Sequence, residues 1–380
     1  MARIAVIGAG VFGAWSARRL AEAGHQVSLF DAYGPASGRA SSADLSRVIR
    51  AGYGADAIYS EWAARAREDW RALEADTGER LLTVTGALFL GRPGYPYLRE
   101  TFETLARLQQ PVEWIGPADL STRFPVLATE GVGPAVFEPD AGVLRARAAV
   151  LAIVRRAIAA HGVTYSVAHV QPVDESRSAV IVRNTEGTLV NADLYIFACG
   201  PWLPTLFPQA VGARIRPTRQ EVLYFGVPPG NRQFSAPHFP VWIDFDAGLY
   251  GIPDLDSAGF KVGIDRHGPP IDPDTADRLV APALIDATRA FLGRRFPLLA
   301  TAPLVDAHVC QYENSATGDF LIDRHPHYCN VFLVGGGSGH GFKHGPAVAR
   351  HVVALVEGRE PVHARFALAG KGTIAQRAVH

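Results

Sequence analysis

The chain has 380 residues, room for two or three domains at roughly 100–200 residues each, and its 37 basic residues balance its 37 acidic ones. A net charge of zero argues against nucleic-acid or membrane-surface binding, because both need an excess of positive charge. A hydrophobic fraction of 48% with 19% charged residues belongs to a folded chain with a large core, not a disordered one.

The run Arg3 to Ile7 reads as a buried parallel strand ending at Gly8. Gly8-Ala9-Gly10-Val11-Phe12-Gly13 follows, then a helix through Ala23 with Ala14, Ala17, Leu20 and Ala21 on one face. Gly24 closes that helix, and Gln26 to Phe30 forms the next strand, ending at Asp31. Helical patterns follow at Ile58 to Thr77 and Tyr97 to Gln109, with a strand Ala87 to Leu90 between them. Residues 145 to 161 read as a helix, and the strand after it is expected to end at His169-Val170. Ala179 to Arg183 and Leu194 to Ala198 read as strands, the second breaking at Gly200-Pro201-Trp202.

From 216 to 270 the texture turns aromatic and alternating, with Glu221 to Val227, Val241 to Phe245 and Phe260 to Ile264 as antiparallel strands. Residues 274 to 295 are expected as one long helix. After Asp306 the α/β texture returns: Phe320 to Ile322, Val331 to Val334, a glycine loop, and a helix from about Pro346 to Val356. The stretch after Phe366 is expected to fray. The fold class is therefore α/β (α+β, two domains). A Rossmann-like dinucleotide-binding domain (1–85, 145–215 and 306–370) is interrupted by a discontinuous, mainly antiparallel substrate domain (86–144 and 216–305), with a tail at 371–380.

Cys199, Cys310 and Cys329 lie too far apart for a CxxC or zinc pattern, so no metal site and no disulfide framework are expected. The N-terminus runs straight into a strand without a signal-peptide layout, and no apolar run approaches a membrane span. A cytoplasmic protein with no membrane partner is the expectation.

Gly8-x-Gly10-x-x-Gly13 between a strand and a helix, with Asp31 ending the next strand, is the dinucleotide-binding pattern. The glycines let backbone N–H groups approach a pyrophosphate, the helix start adds partial positive charge, and Asp31 accepts from ribose hydroxyls. This motif does not separate NAD from FAD. The second glycine loop, Gly335-Gly336-Gly337-Ser338-Gly339-His340-Gly341-Phe342-Lys343, opens another helix and offers close backbone approach and positive potential. Those properties suit a reduced isoalloxazine, which carries negative charge at its N1/C2 edge. Ser338 is no hydrolase nucleophile, since G-x-S-x-G would need glycine where His340 stands.

The segment Ser338 to Lys343 resembles the signature of the monomeric sarcosine oxidase and N-methyltryptophan oxidase group within the D-amino-acid-oxidase-like flavoenzymes. Further stretches match in order: Ser46 to Arg50, Phe137 to Leu144, Tyr250 to Pro253, Gly259 to Gly263, Ile271 to Asp274, and Cys310-Gln311-Tyr312. The resemblance spans nearly the whole chain. It implies an FAD-dependent amine oxidase that converts an N-alkyl or cyclic amino acid to an imine and reduces O2 to hydrogen peroxide, acting as a monomer or small homo-oligomer. It implies covalent attachment of FAD through Cys310, which read as a residue alone is an apolar-strand cysteine of the core. It implies that Arg50 and Lys343 bind the substrate carboxylate, that Arg47 lies beside the flavin, and that Lys261 serves the reaction with O2.

Tyr250, His340 and Tyr312 are pocket candidates, and for the tyrosines ordinary packing is an equal reading. The expected cofactor-binding set is Gly8, Gly10, Val11, Phe12, Gly13, Asp31, Ser41, Ser42, Arg47, Val170, Gly200, Trp202, Cys310, Tyr312, Gly337, Gly339, His340, Gly341 and Lys343. Departures bear on the substrate. Asp265 stands where sarcosine oxidases carry histidine, His344 follows the matched lysine in place of phenylalanine, and Ala40 to Ala43 lacks the paired histidines. These changes point to a bulkier or more basic amine than sarcosine.

Three rival readings stand. The first is a dehydrogenase, or a subunit of an amine-oxidising complex, that passes electrons to another protein. The second is a nucleotide-binding module without redox turnover. The third is a primary-amine oxidase of the glycine or D-amino-acid type.

Overall fold

The computed structural model describes residues 1–172 and 180–373. One sheet has six strands, in the order Leu321–Arg324, Val331–Gly335, Leu194–Phe197, Arg3–Ile7, Gln26–Asp31 and Thr164–Val167. Its neighbours run parallel except Leu321–Arg324, which is antiparallel to Val331–Gly335. Successive side chains alternate between faces. Ile4 and Val6 pack with the helices Val11–Glu22, Ala146–His161 and Gly345–Val356, while Ala5 and Ile7 face Leu203 and Phe207. Both faces are covered, which is why the inner strands read as unbroken apolar runs.

The second sheet has eight strands, in the order Leu304–Ser315, Ile215–Phe225, Phe260–Ile264, Leu249–Ile252, Val241–Asp244, Ala87–Leu90, Ala135–Glu138 and Glu113–Ile115. All its pairs are antiparallel except Val241–Asp244 with Ala87–Leu90. The expected mixed α/β architecture, one mainly parallel sheet and one mainly antiparallel, is present. The domain limit drawn at 306 falls inside Leu304–Ser315, a strand bonded along its length to Ile215–Phe225. A third, small sheet sets Gly142–Leu144 between Arg47–Ile49 and Leu82–Val84.

Three expectations need correction. The strand after Ala146–His161 ends at Val167, and Val170–Pro172 pairs instead with Val182–Asn184, because Val170, Val180 and Val182 share one buried cluster. The strand expected from Ala179 begins outside the described residues. The long helix spans only Pro282–Arg295: Ala281 is extended (φ −67°, ψ 134°), as a residue before proline must be, so no helix crosses it. The stretch after Phe366 does not fray as far as Lys371. Leu368 and Lys371 are buried, Leu368 N–H donates to Asp323 (2.8 Å) and Lys371 Nζ to the Arg365 carbonyl (2.6 Å). Most of the expected tail, 374–380, lies outside the described residues. Among the described residues no helix is long and apolar enough to cross a membrane.

Candidate active site

A cavity of about 360 Å³ opens where the carboxyl ends of the parallel strands face the eight-stranded sheet. At one end stands the first glycine motif. A Cβ on Gly8 (φ +104°) would lie 2.3 Å from the Ala198 carbonyl, and one on Gly13 would lie 1.8 Å from the Gly8 carbonyl. Only glycine permits this approach of strand and helix. The first N–H groups of a helix have no partner inside it. Ser42 Oγ takes the Val11 N–H (2.9 Å), which leaves those of Phe12 and Gly13 for a ligand. Asp31 accepts from Ala9 N–H (2.7 Å) and Tyr33 N–H (2.9 Å), and burial raises its pKa.

Of the expected cofactor residues, Gly8, Gly10, Val11, Phe12, Asp31, Ser41, Ser42, Val170, Gly200 and Trp202 line the cavity; Gly13 sits behind it, bracing Gly8. Trp202 Nε1 donates to Asp274 (2.8 Å), which also accepts from Tyr33 Oη (3.0 Å).

At the other end the second glycine loop meets the second sheet. Gly337, Gly339, His340, Gly341 and Lys343 line the cavity with Arg47, Arg50, Tyr250 and Tyr312. The Tyr312 ring packs against Gly339 (φ +79°), where a Cβ would come within 2.6 Å of it. Ser338 Oγ donates to the Gly336 carbonyl (2.9 Å) and accepts from Ser315 N–H (3.2 Å), a loop-bracing role that agrees with its rejection as a nucleophile. His340 Nε2 bonds the Gly318 carbonyl (2.9 Å) and its ring stacks on Phe320, so this side chain holds the loop.

Arg50 and Lys343 are both buried (5% exposed each) and face the same cavity. The Arg50 guanidinium lies over Tyr53 at 4.6 Å and donates to the Gly52 carbonyl. Its segment is anchored by Glu138, which accepts from the N–H groups of Ala51 (2.8 Å) and Gly52 (3.0 Å). Lys343 Nζ donates to Tyr53 Oη (2.9 Å) and the His340 carbonyl (3.1 Å). Burial, with Arg50 nearby, pushes the Lys343 ammonium well below its ordinary pKa. An anion entering the cavity would reverse that shift. His344, which bonds Tyr53 Oη at 2.8 Å, is likewise held well down by burial and by Lys343.

Cys310 and Lys261 lie behind the cavity wall. Cys310 Sγ is 3.4 Å from Arg47 Nη2, and Arg47 bonds Asp44 (2.7 Å) and the Ser41 carbonyl (3.1 Å). Lys261 is 1% exposed on a strand inside the sheet, not at its edge; its ammonium meets Asp44 Oδ2 (2.5 Å) and the Ser46 carbonyl (3.0 Å). Burial lowers Lys261, while Asp44 opposes that fall. Burial alone would raise Asp44, but Lys261, His308 and Arg47 hold it well below the usual carboxylate range.

Sequence reasoning missed Asp44, where four groups converge: Arg47, Lys261, Tyr224 and His308. It also missed Glu313, Asp274 and Tyr53. Asp44 lay 217 residues from Lys261 with no motif around it, while Asp274 closed one matched stretch and Glu313 followed another without a role attached to either. Tyr53 had a weak signal, three residues beyond the matched stretch Ser46 to Arg50.

The residues present fit FAD. The cavity joins a glycine cradle with spare helix-start amides to a cationic end, and Ser41 Oγ and Glu313 Oε2 are buried without a protein partner among the described residues.

Comparison with known proteins gives concordant results. Residues 3–355 match the family described as DAO, FAD dependent oxidoreductase. A monomeric sarcosine oxidase of Bacillus sp. (strain NS-129) is 30% identical over 93% of this chain and 92% of its own. N-methyl-L-tryptophan oxidase of Yersinia pestis (strain Pestoides F) is 27% identical over 94% and 95%. Among solved structures, a modified fructosyl peptide oxidase from Aspergillus nidulans superposes with a TM-score of 0.85 at 21% identity, covering 99% of this chain and 96% of that one. L-proline dehydrogenase from P. horikoshii gives 0.83 at 19%, covering 96% of each. The two structural likenesses concern the fold.

Proposed function

This chain belongs to the FAD dependent oxidoreductase family, and from that premise we propose that it is an amine oxidase acting on the C–N bond of an N-alkyl or cyclic amino acid. One observation carries the reading: Arg50 and Lys343 are buried side by side on a cavity that also holds the dinucleotide cradle. An arginine fork and an ammonium that converge on one cavity can hold a substrate carboxylate between them. Docked there, the substrate has its amine-bearing carbon directed along the cavity. FAD supplies the two-electron acceptor.

The chain's residues do the rest. Gly10, Phe12 and Ser42 would shape the pyrophosphate end, Tyr250 and Tyr312 would wall the reacting end, and the loop residues Gly337, Gly339 and Gly341 would bring backbone to the flavin. The neutral amine gives up a hydride equivalent and becomes an imine, which hydrolyses or, in a cyclic substrate, persists. Asp265 lines the same cavity and interacts with Arg50 and Lys343, which favours a bulkier or more basic amine than sarcosine.

Cys310 is the proposed attachment point, through a thioether to the flavin 8α-carbon. A thioether there would retain the cofactor and tune its electronics. Three unpaired cysteines are in keeping with a reducing cytoplasm, and a monomer or small homo-oligomer is the expected assembly.

Dioxygen is the proposed acceptor, assisted by the positive charge of Lys261. A second reading, electron transfer to another protein, is favoured by one observation: the Lys261 ammonium points at Asp44 from behind the cavity wall. Rapid-mixing kinetics decide. Lys261→Met should slow reoxidation by O2 by at least about tenfold while changing anaerobic reduction by substrate less than about threefold. Equal effects on both half-reactions would overturn the oxygen role of Lys261.

A further inference from the structure

We propose that Glu313 is a cofactor-binding residue whose second carboxyl oxygen accepts a hydrogen bond from a hydroxyl of the FAD ribityl chain. The proposal rests on the reading that the cavity holds FAD, and it adds a residue outside both glycine motifs.

Glu313 stands on Leu304–Ser315, three residues beyond Cys310, and is 7% exposed. Its backbone carbonyl accepts from Ser338 N–H at 3.1 Å, which fixes the strand against the glycine loop. Its carboxyl accepts from the N–H groups of Gly336 and Gly337, and Oε1 faces Gly337. Oε2 has no partner among the described residues, yet Glu313 lines the cavity. That oxygen sits in a slot between two glycines: a Cβ on Gly335 would come within 3.1 Å of it and one on Gly200 within 4.0 Å. Burial raises the carboxyl pKa to about 7. A buried carboxyl with one oxygen unpaired is costly, and the common resolution is a ligand donor.

The order of strands identifies which part of FAD lies there. Asp31, Gly8, Gly200 and Gly335 follow one another across neighbouring strand ends, and Arg47 with Lys343 lies beyond them. Laid along that row, the ribose of adenosine falls at Asp31, the pyrophosphate at Gly8 and the ring at Arg47 and Lys343. The span between pyrophosphate and ring is the ribityl chain. The chemistry agrees. A pyrophosphate has no proton to donate and would repel a carboxylate, whereas each ribityl hydroxyl is a donor. Among the titratable groups, the Cys199 thiol, at the end of Leu194–Phe197, interacts with Glu313, and its raised pKa keeps it neutral there.

The test uses flavin release from the loaded protein in a Cys310→Ser background, which makes the cofactor exchangeable. In Glu313→Gln the amide oxygen stays with the Gly336 and Gly337 N–H groups, and an NH2 donor turns toward the slot. Released FAD is followed by its fluorescence on dilution, and melting is measured on the FAD-free protein. Loss of the charged acceptor should speed release about tenfold or more, with the FAD-free variant melting no lower than its parent. Release within twofold of the parent would overturn the proposal. So would faster release with a fall in the melting of the FAD-free protein, since Glu313 would then merely brace the loop. A parent protein that carries no flavin at all would instead overturn the FAD reading.

Discussion

At the scale of residues, what distinguishes this site is where its few buried charges sit. All three lysines, Lys261, Lys343 and Lys371, are buried, so burial by itself does not mark a lysine as functional. Lys343 faces the cavity, Lys261 pairs with Asp44 behind it, and Lys371 caps a turn near the C-terminus. Arg50, Lys343 and Cys310 were legible only through matched segments. A lone arginine or cysteine in a strand carries no sign of its purpose, and the elements around it carry none either. Asp44 and Glu313 were not legible at all, because their partners come together only through folding.

Glu313 also yields a pH prediction for protein stripped of FAD. Its folded pKa, about 7, lies above the ordinary 4.5. Between those values the folded state holds more protons than the unfolded one, so its stability is full below the lower value and falls as pH rises toward the upper one. The loss amounts to at most about 3 kcal/mol. Glu313→Gln should therefore melt higher than the parent apoprotein at pH 8 and close to it at pH 4. A difference independent of pH would place the titration elsewhere.

At the scale of elements, the first strand, the helix after it and the second strand were readable to within a residue, because pattern, glycines and caps agree there. The long strand Leu304–Ser315 was not. Its first half is mostly apolar yet partly exposed, its buried second half is polar, and the α/β texture beyond it hid its pairing with Ile215–Phe225. The helix expected from 274 begins only at Pro282, which sits at its first position and disfavours a helical Ala281 before it.

The glycine cradle supports an element-level prediction. Gly13→Ala puts a methyl 1.8 Å from the Gly8 carbonyl, so strand and helix must separate and the amides must leave their positions. Such overpacking costs about 1–3 kcal/mol or more and should leave the purified protein with little flavin. Gly24→Ala is the control: at φ +87° it carries backbone strain, but its Cβ meets nothing within 4 Å, and flavin content should be kept. Full flavin content in Gly13→Ala would show that this close approach does not form the cradle.

At the scale of the whole molecule, zero net charge gives no overall field to steer a large charged partner, and the charge that matters to the site acts locally in the cavity. The site is a product of two sheets. The parallel one supplies backbone amides and Asp31 at its strand ends, and the antiparallel one supplies Tyr250, Tyr312 and Glu313. Arg47 comes from the small third sheet, with Arg50 just beyond it. The central claim is that this joined cavity oxidises an amine whose carboxylate is held by Arg50 and Lys343. The direct measurement is anaerobic bleaching of the flavin by matched compounds: an N-methyl or cyclic amino acid, the same amine without its carboxylate, and a primary amino acid. The account predicts rapid bleaching by the first, at least about a hundredfold slower bleaching by the decarboxylated amine, and little by the primary amino acid. Equal bleaching with and without the carboxylate, or none by any amine, would contradict it.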